Sequence, residues 1–168
     1  MKAFITFILS NYSLTFFMIG LTASGISLLR HGSRCDRILA ARTFLSGFLL
    51  YAIGFSFLYN FIMHVFFAEE AARFIGWANS PFQYEVGYAS LGFGVVAILA
   101  RRSTYEFSLA EIIGPALFLW GAALGHIYQM VTAHNFSPGN AGVVFWTDIF
   151  IPVFGLLLLR SAYSHEKR

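Results

Sequence analysis

The chain carries a single cysteine, Cys35, and little charge: Asp, Glu, Lys and Arg together are 11 % of its 168 residues. One cysteine excludes an intrachain disulfide and any zinc or iron–sulfur site built from several thiolates. Soluble domains carry roughly 25 % charged residues, so this chain has too little polar surface to be covered in water. Internal repeats, heptad arrays and low-complexity segments are also missing, which sets aside solenoids and coiled coils. The abundant residues are apolar, 58 % of the chain with 20 Phe among them, and the mean hydropathy is +0.68. We read an all-α integral membrane protein in one domain, 1–168. The net charge of +3 comes with no aromatic-basic motif of the nucleic-acid-binding kind, and the partner it implies is the lipid bilayer.

A membrane span needs roughly 20 mostly apolar residues. Five stretches qualify, at about 3–29, 42–67, 82–100, 107–131 and 141–159. With five spans, Arg30, Arg34, Arg37, Arg42, Arg101, Arg102, Arg160, Lys167 and Arg168 fall on one side, and only Lys2 and Arg73 on the other. The positive-inside rule then places the N-terminus outside and the C-terminus in the cytoplasm. Four or six spans would scatter the Arg clusters over both faces. The first span is expected to be retained rather than cleaved as a signal, because a signal would put the cluster from Arg30 to Arg42 outside. Asp36 is expected to pair with a neighbouring Arg.

Polar residues gather at the outer ends of the spans. Ser56, Asn60 and His64 recur every four residues, drawing a stripe down one helix face. Residues 68–77 form an amphipathic stretch suited to the outer membrane surface, with Phe74, Ile75 and Trp77 in the interface. Ser80 and Pro81 suit N-cap and N1 of the third span, and Glu85 lies just over one turn inside it. The run GHIYQMVTAHNFSPGNAGVVFWTD, from Gly125 to Asp148, joins the fourth and fifth spans with no Lys or Arg. Pro138 and Gly139 read as a turn and Asn140 as the N-cap of the fifth span. Toward the other face only Glu111 is comparable, and it is expected to contact headgroup water or Arg101 and Arg102.

At about 1.5 Å rise per residue, His64, Glu85, His126 and Asp148 all lie roughly 5–10 Å below the outer surface, on four different helices. Ionisable groups at that depth are costly unless they meet one another or water. The equal depth predicts a common centre. Three readings stay open: mutually satisfied structural polar groups, a metal site, and a metal-free pocket for a ligand, proton or substrate. Two His and two carboxylates suit a divalent transition metal such as zinc or iron, with Asn60, Gln129, His134, Asn135 and Asn140 behind them as orienting groups. In an enzyme of this kind a metal-bound water is the nucleophile and Glu85 or Asp148 the general base. His64 and His126 clasping a b-type haem is a further arrangement, though it leaves the carboxylates without a task.

A non-enzymatic reading rests on small residues. Gly87, Ser90 and Gly94, and Gly121 with Gly125, form faces suited to close helix packing, in a homo-oligomer or on a partner membrane protein. Transport of a small solute or protons is a third reading; a pathway should also cross the inner half, where only Glu111 is polar.

The Gly125–Asp148 run, with NSPFQYEVG at 79–87, resembles the signature of an uncharacterised family of small multi-spanning bacterial membrane proteins, a domain of unknown function. The resemblance covers most of the chain and implies a helical inner-membrane protein. It implies no activity and assigns no residue a role.

Overall fold

The computed structural model describes residues 2–30, 32 and 36–164; Arg34, Cys35, Lys167 and Arg168 lie outside the described residues. These form helices α1 (Lys2–Ser10), α2 (Tyr12–Leu29), α3 (Arg37–Gly47), a π-helical stretch (Phe48–Phe55), α4 (Ser56–Phe66), α5 (Ala68–Ile75), α6 (Phe82–Ala100), α7 (Tyr105–Ala133), α8 (Pro138–Ala141) and α9 (Val143–Ala162). No strand occurs among the described residues. Five helical segments are long and apolar enough to cross a membrane: Tyr12–Leu29, Arg37–Phe66, Phe82–Ala100, Tyr105–Ala133 and Pro138–Ala162. Length and composition are those of a multi-pass membrane protein. Leu29, Leu124, Val131 and Leu157 stand exposed on the outer faces of these helices, where hydrocarbon is their natural solvent.

Three boundaries differ from expectation for identifiable reasons. The first apolar stretch is broken at Asn11, whose backbone leaves the helical region (φ −113°, ψ 41°). Its Nδ2 donates to Phe7 O at 2.9 Å, and Thr15 Oγ1 donates to Ile8 O at 3.0 Å; such side chains compete with the backbone ladder. The second segment begins earlier, at Arg37, because Asp36 Oδ1 accepts the Leu39 amide at 2.7 Å and caps it. The fourth begins at Tyr105 behind Thr104, whose hydroxyl accepts from the Phe107 amide at 3.4 Å.

The core lies at mid-height. Leu45, Phe48, Leu49, Ile53 and Phe57 of the second segment are buried against Ala97 of α6, Ile112 of α7, and Ile151 and Leu159 of α9. Phe17 meets Phe150 and Phe154 edge-on, with ring centroids 5.2 and 5.0 Å apart, the favoured aromatic geometry. Small residues set the closest approach. A Cβ on Gly94 would stand 2.9 Å from Gly54 O, and one on Gly87 would stand 2.5 Å from Val65 Cγ2. The Gly87–Ser90–Gly94 face is therefore used inside the chain, against the second segment, and is not free for a partner. Gly121 is exposed, and a Cβ there would meet nothing within 4 Å.

The spans alternate in direction, so one end of the bundle collects the start of α2, the end of α4, the start of α6, the end of α7 and the start of α9. Arg42, Arg101 and Arg102 gather at the other. Helix α5 folds over the first end: Ala71 and Ala72 are buried, and Phe74 lies against Gly139, where a Cβ would stand 2.6 Å from its ring. The amphipathic stretch expected on the outer surface thus roofs this end of the bundle.

Candidate functional site

Under that roof lies a cavity of about 880 Å3. His64, His126 and Asp148 line it; Glu85 does not. Glu85 is exposed on α6, while Gln83, two residues earlier, is buried. A helix turns by about 100° per residue, so two positions separate an inward from an outward face at nearly equal depth. Gln83 Oε1 pairs with His64 Nδ1 in place of the expected carboxylate. Among the described residues no three His, Cys, Asp or Glu side chains gather closely enough to hold a metal ion. Of the expected four, His126 faces Asp148, His64 meets Gln83 on the same cavity wall, and Glu85 stands apart.

The second pair is organised by Asn140. Rather than capping the fifth span, Asn140 sits within α8, fully buried. Its Nδ2 donates to His126 O at 3.2 Å and Asn135 O at 2.9 Å. Both contacts are carbonyls, which fixes the amide's orientation. Its Oδ1 is then an acceptor, facing Trp77 Nε1 at 2.9 Å and His126 Nδ1 at 2.8 Å. Nδ1 of His126 must accordingly carry a proton, and the other ring nitrogen, Nε2, faces Asp148 Oδ2 at 3.5 Å. The Trp77 ring lies over the imidazole, centroids 5.5 Å apart. With Nδ1 committed, Nε2 is the ring nitrogen left to face the Asp148 carboxyl and the cavity.

Asn60 is a second hub. It accepts from Tyr12 Oη at 2.8 Å and donates to Ser90 Oγ at 2.9 Å; Ser90 in turn donates to Val86 O at 2.7 Å. Nearby, Ser13 Oγ and Thr147 Oγ1 are 2.7 Å apart. The Ser56–Asn60–His64 stripe faces the cavity as its spacing predicts.

The other expected orienting residues have structural work. Asn135 ties the α7–α8 loop to the end of α5, donating to Ile75 O at 3.0 Å and Gly76 O at 3.2 Å and accepting from Ser137 N at 3.0 Å. His134 is exposed and takes a left-handed conformation (φ 51°) as the C-cap of α7. Gln129 accepts the His134 and Asn135 amides on its backbone carbonyl, closing the helix end. Neither His134 nor Gln129 lines the cavity. Sequence reasoning missed Tyr12, Gln83 and Trp77. The polar run Ser10–Ser13, set in an apolar segment, was a signal for Tyr12; the inward face of α6, marked by Gly87 and Ser90, was one for Gln83.

Phe57, Met63, Phe74, Phe118 and Ile151 supply much of the remaining wall, giving an apolar chamber with a few placed polar groups, the usual make-up of a small-molecule site.

No curated protein and no solved structure matches the chain. The match that is found runs over residues 10–168, nearly the whole chain and every residue of the cavity wall except Leu9. The chain belongs to DUF6790, a family of unknown function.

Proposed function

We propose that this is a bacterial inner-membrane protein that binds an amphipathic small molecule in the roofed cavity, with the Arg-rich end in the cytoplasm. The observation that carries the reading is the cavity itself: about 880 Å3, largely apolar, with His64, Asn60, His126 and Asp148 on its wall. Its rim includes the exposed apolar residues Phe67, Phe82 and Leu117 together with Gly121. Such a rim opens toward hydrocarbon, so a ligand partitioned in the bilayer enters sideways, apolar body first. Its polar group then meets the His126–Asp148 pair, which also exchanges a proton with a ligand that has one to give or take. Cavities of this size and composition suit drug-sized or lipid-like molecules.

The test is organic extraction of protein purified in mild detergent, followed by mass spectrometry. Wild type is expected to yield a near-stoichiometric amphipathic compound. Ala122→Phe and Gly121→Phe, which fill the chamber, are expected to lose it while keeping a cooperative unfolding transition. Absence of any enriched compound from wild type, or equal retention in both variants, overturns the reading. A stoichiometric metal in the same samples, lost in His126→Ala, would replace it with a metal site.

A further inference from the structure

We propose that the opposite, Arg-rich end of the bundle is a binding site for a phosphate-bearing anion, held by Arg42, Arg101 and Arg102. These three arginines line one concavity of about 490 Å3, and no Asp or Glu is among its described lining residues. They come from separate parts of the chain, Arg42 from α3 and Arg101 with Arg102 from the turn between α6 and α7. A charge pattern that served topology alone would need them only on the same side of the membrane, not around one hollow.

Arg42 is held in place. Its Nε donates to Ala162 O at 3.2 Å, and its guanidinium lies over the Tyr163 ring, 5.2 Å from the centroid. Tyr163 is itself fixed by donating to Ser103 O at 2.7 Å. That bond ties the end of α9 to the α6–α7 turn, so both sources of Arg share one rigid frame. Ser46, Thr43 and Ser103 line the same hollow. Planar guanidinium forks combined with hydroxyl donors match the tetrahedral oxygens of a phosphate, and Arg serves this geometry better than Lys.

Two sources present this chemistry at a membrane surface: the phosphodiester of an anionic phospholipid and free phosphate or a soluble phosphate ester. Binding is read by native mass spectrometry of wild type in nanodiscs of mixed phosphatidylglycerol and phosphatidylcholine, and by thermal unfolding in detergent with added inorganic phosphate. Enrichment of phosphatidylglycerol that phosphate does not displace assigns the site to a lipid headgroup. A phosphate-dependent rise in the unfolding temperature assigns it to a soluble anion. In either arm Arg101→Gln with Arg102→Gln should weaken binding at least about tenfold. Arg101→Lys with Arg102→Lys should lose much of it despite the retained charge. Arg160→Gln removes an exposed Arg outside the hollow at the same end and should leave binding unchanged. No enrichment and no thermal shift in wild type overturns the proposal. So does a loss in Arg160→Gln equal to that in the double Gln variant, which would mean diffuse surface charge.

Discussion

Oδ1 of Asn140 stands 2.8 Å from Nδ1 of His126, and the other end of that amide is committed to two carbonyls, so His126 keeps a proton on Nδ1. Its remaining chemistry then points at Asp148. One buried carboxamide thereby chooses which nitrogen of a cavity-lining His is free to act.

Removing that carboxamide should be costly. Asn140→Leu leaves His126 Nδ1–H and Trp77 Nε1–H without their acceptor and Asn135 O without its Asn140 donor, and each buried orphan costs about 1–3 kcal/mol. A fall in thermal stability of at least about 3 kcal/mol is expected, read by unfolding in detergent. Asn140→Asp keeps an acceptor toward Trp77 and His126 but sets a carboxyl oxygen against two carbonyls at a fully buried position, so it should also lower stability. Imidazole nitrogen NMR of wild type should show Nδ1 protonated, and wild-type stability in Asn140→Leu would remove Asn140 from its place as the hub.

The roof is held by glycines at two contacts. Gly76 has φ +78°, and a Cβ there would stand 2.3 Å from Ser137 Oγ and 2.7 Å from Asn135 Oδ1. A Cβ on Gly139 would stand 2.6 Å from the Phe74 ring and 2.8 Å from its carbonyl oxygen. Backbone cannot give way as a side-chain tip can, so Gly139→Ala should lift α5. Hydrogen exchange is expected to rise across residues 68–77 with little change in α6 or α9. Uniform exchange across the whole chain would mean that the roof and the bundle open as one unit.

The fold was largely legible from composition and charge. Five apolar runs and the one-sided Arg pattern are coarse signals that survive errors of a few residues, and α6 runs over 82–100 as expected. The site was legible in depth but not in azimuth. Counting residues from a span end singles out His64, His126 and Asp148, which line one cavity, but says nothing of the face each helix turns inward. Choosing between Gln83 and Glu85 needs the helix rotation, and that is set by packing of Gly87 and Ser90 on α4. A preference for ionisable over neutral polar residues pointed the wrong way there. Asn140 was mistaken for a cap because Asn after Pro-Gly is locally a good one. Its role depends on Trp77, 63 positions away, which no local pattern reports.

Gln83 and Glu85 make a paired test of that rotation. Glu85→Gln alters an exposed position outside the cavity lining and should leave stability within about 0.5 kcal/mol of wild type. Gln83→Leu strips His64 Nδ1 of its partner in a half-buried setting and should cost about 1–3 kcal/mol and weaken retention of any cavity ligand. The reverse ranking in thermal unfolding would place Glu85, not Gln83, on the inner face of α6.

Glu111 supplies the sharpest prediction outside the cavity. It was expected to reach headgroup water or the Arg101–Arg102 pair, but it is 5 % exposed, and its Oε1 has no hydrogen-bond partner among the described residues. A buried carboxyl oxygen without a partner is a desolvation cost with no return inside the fold. An apolar side chain of similar length relieves that cost, as replacement of buried polar groups often does. Glu111→Leu is therefore expected to raise the unfolding temperature, by a stability gain of about 1–2 kcal/mol. Glu111→Gln, which keeps a polar end, should change it little. Marked destabilisation by Glu111→Leu would show that this carboxyl is satisfied in the membrane, by a bound cation, a water or a partner chain reaching mid-bundle, and would make Glu111 the second polar centre of the molecule.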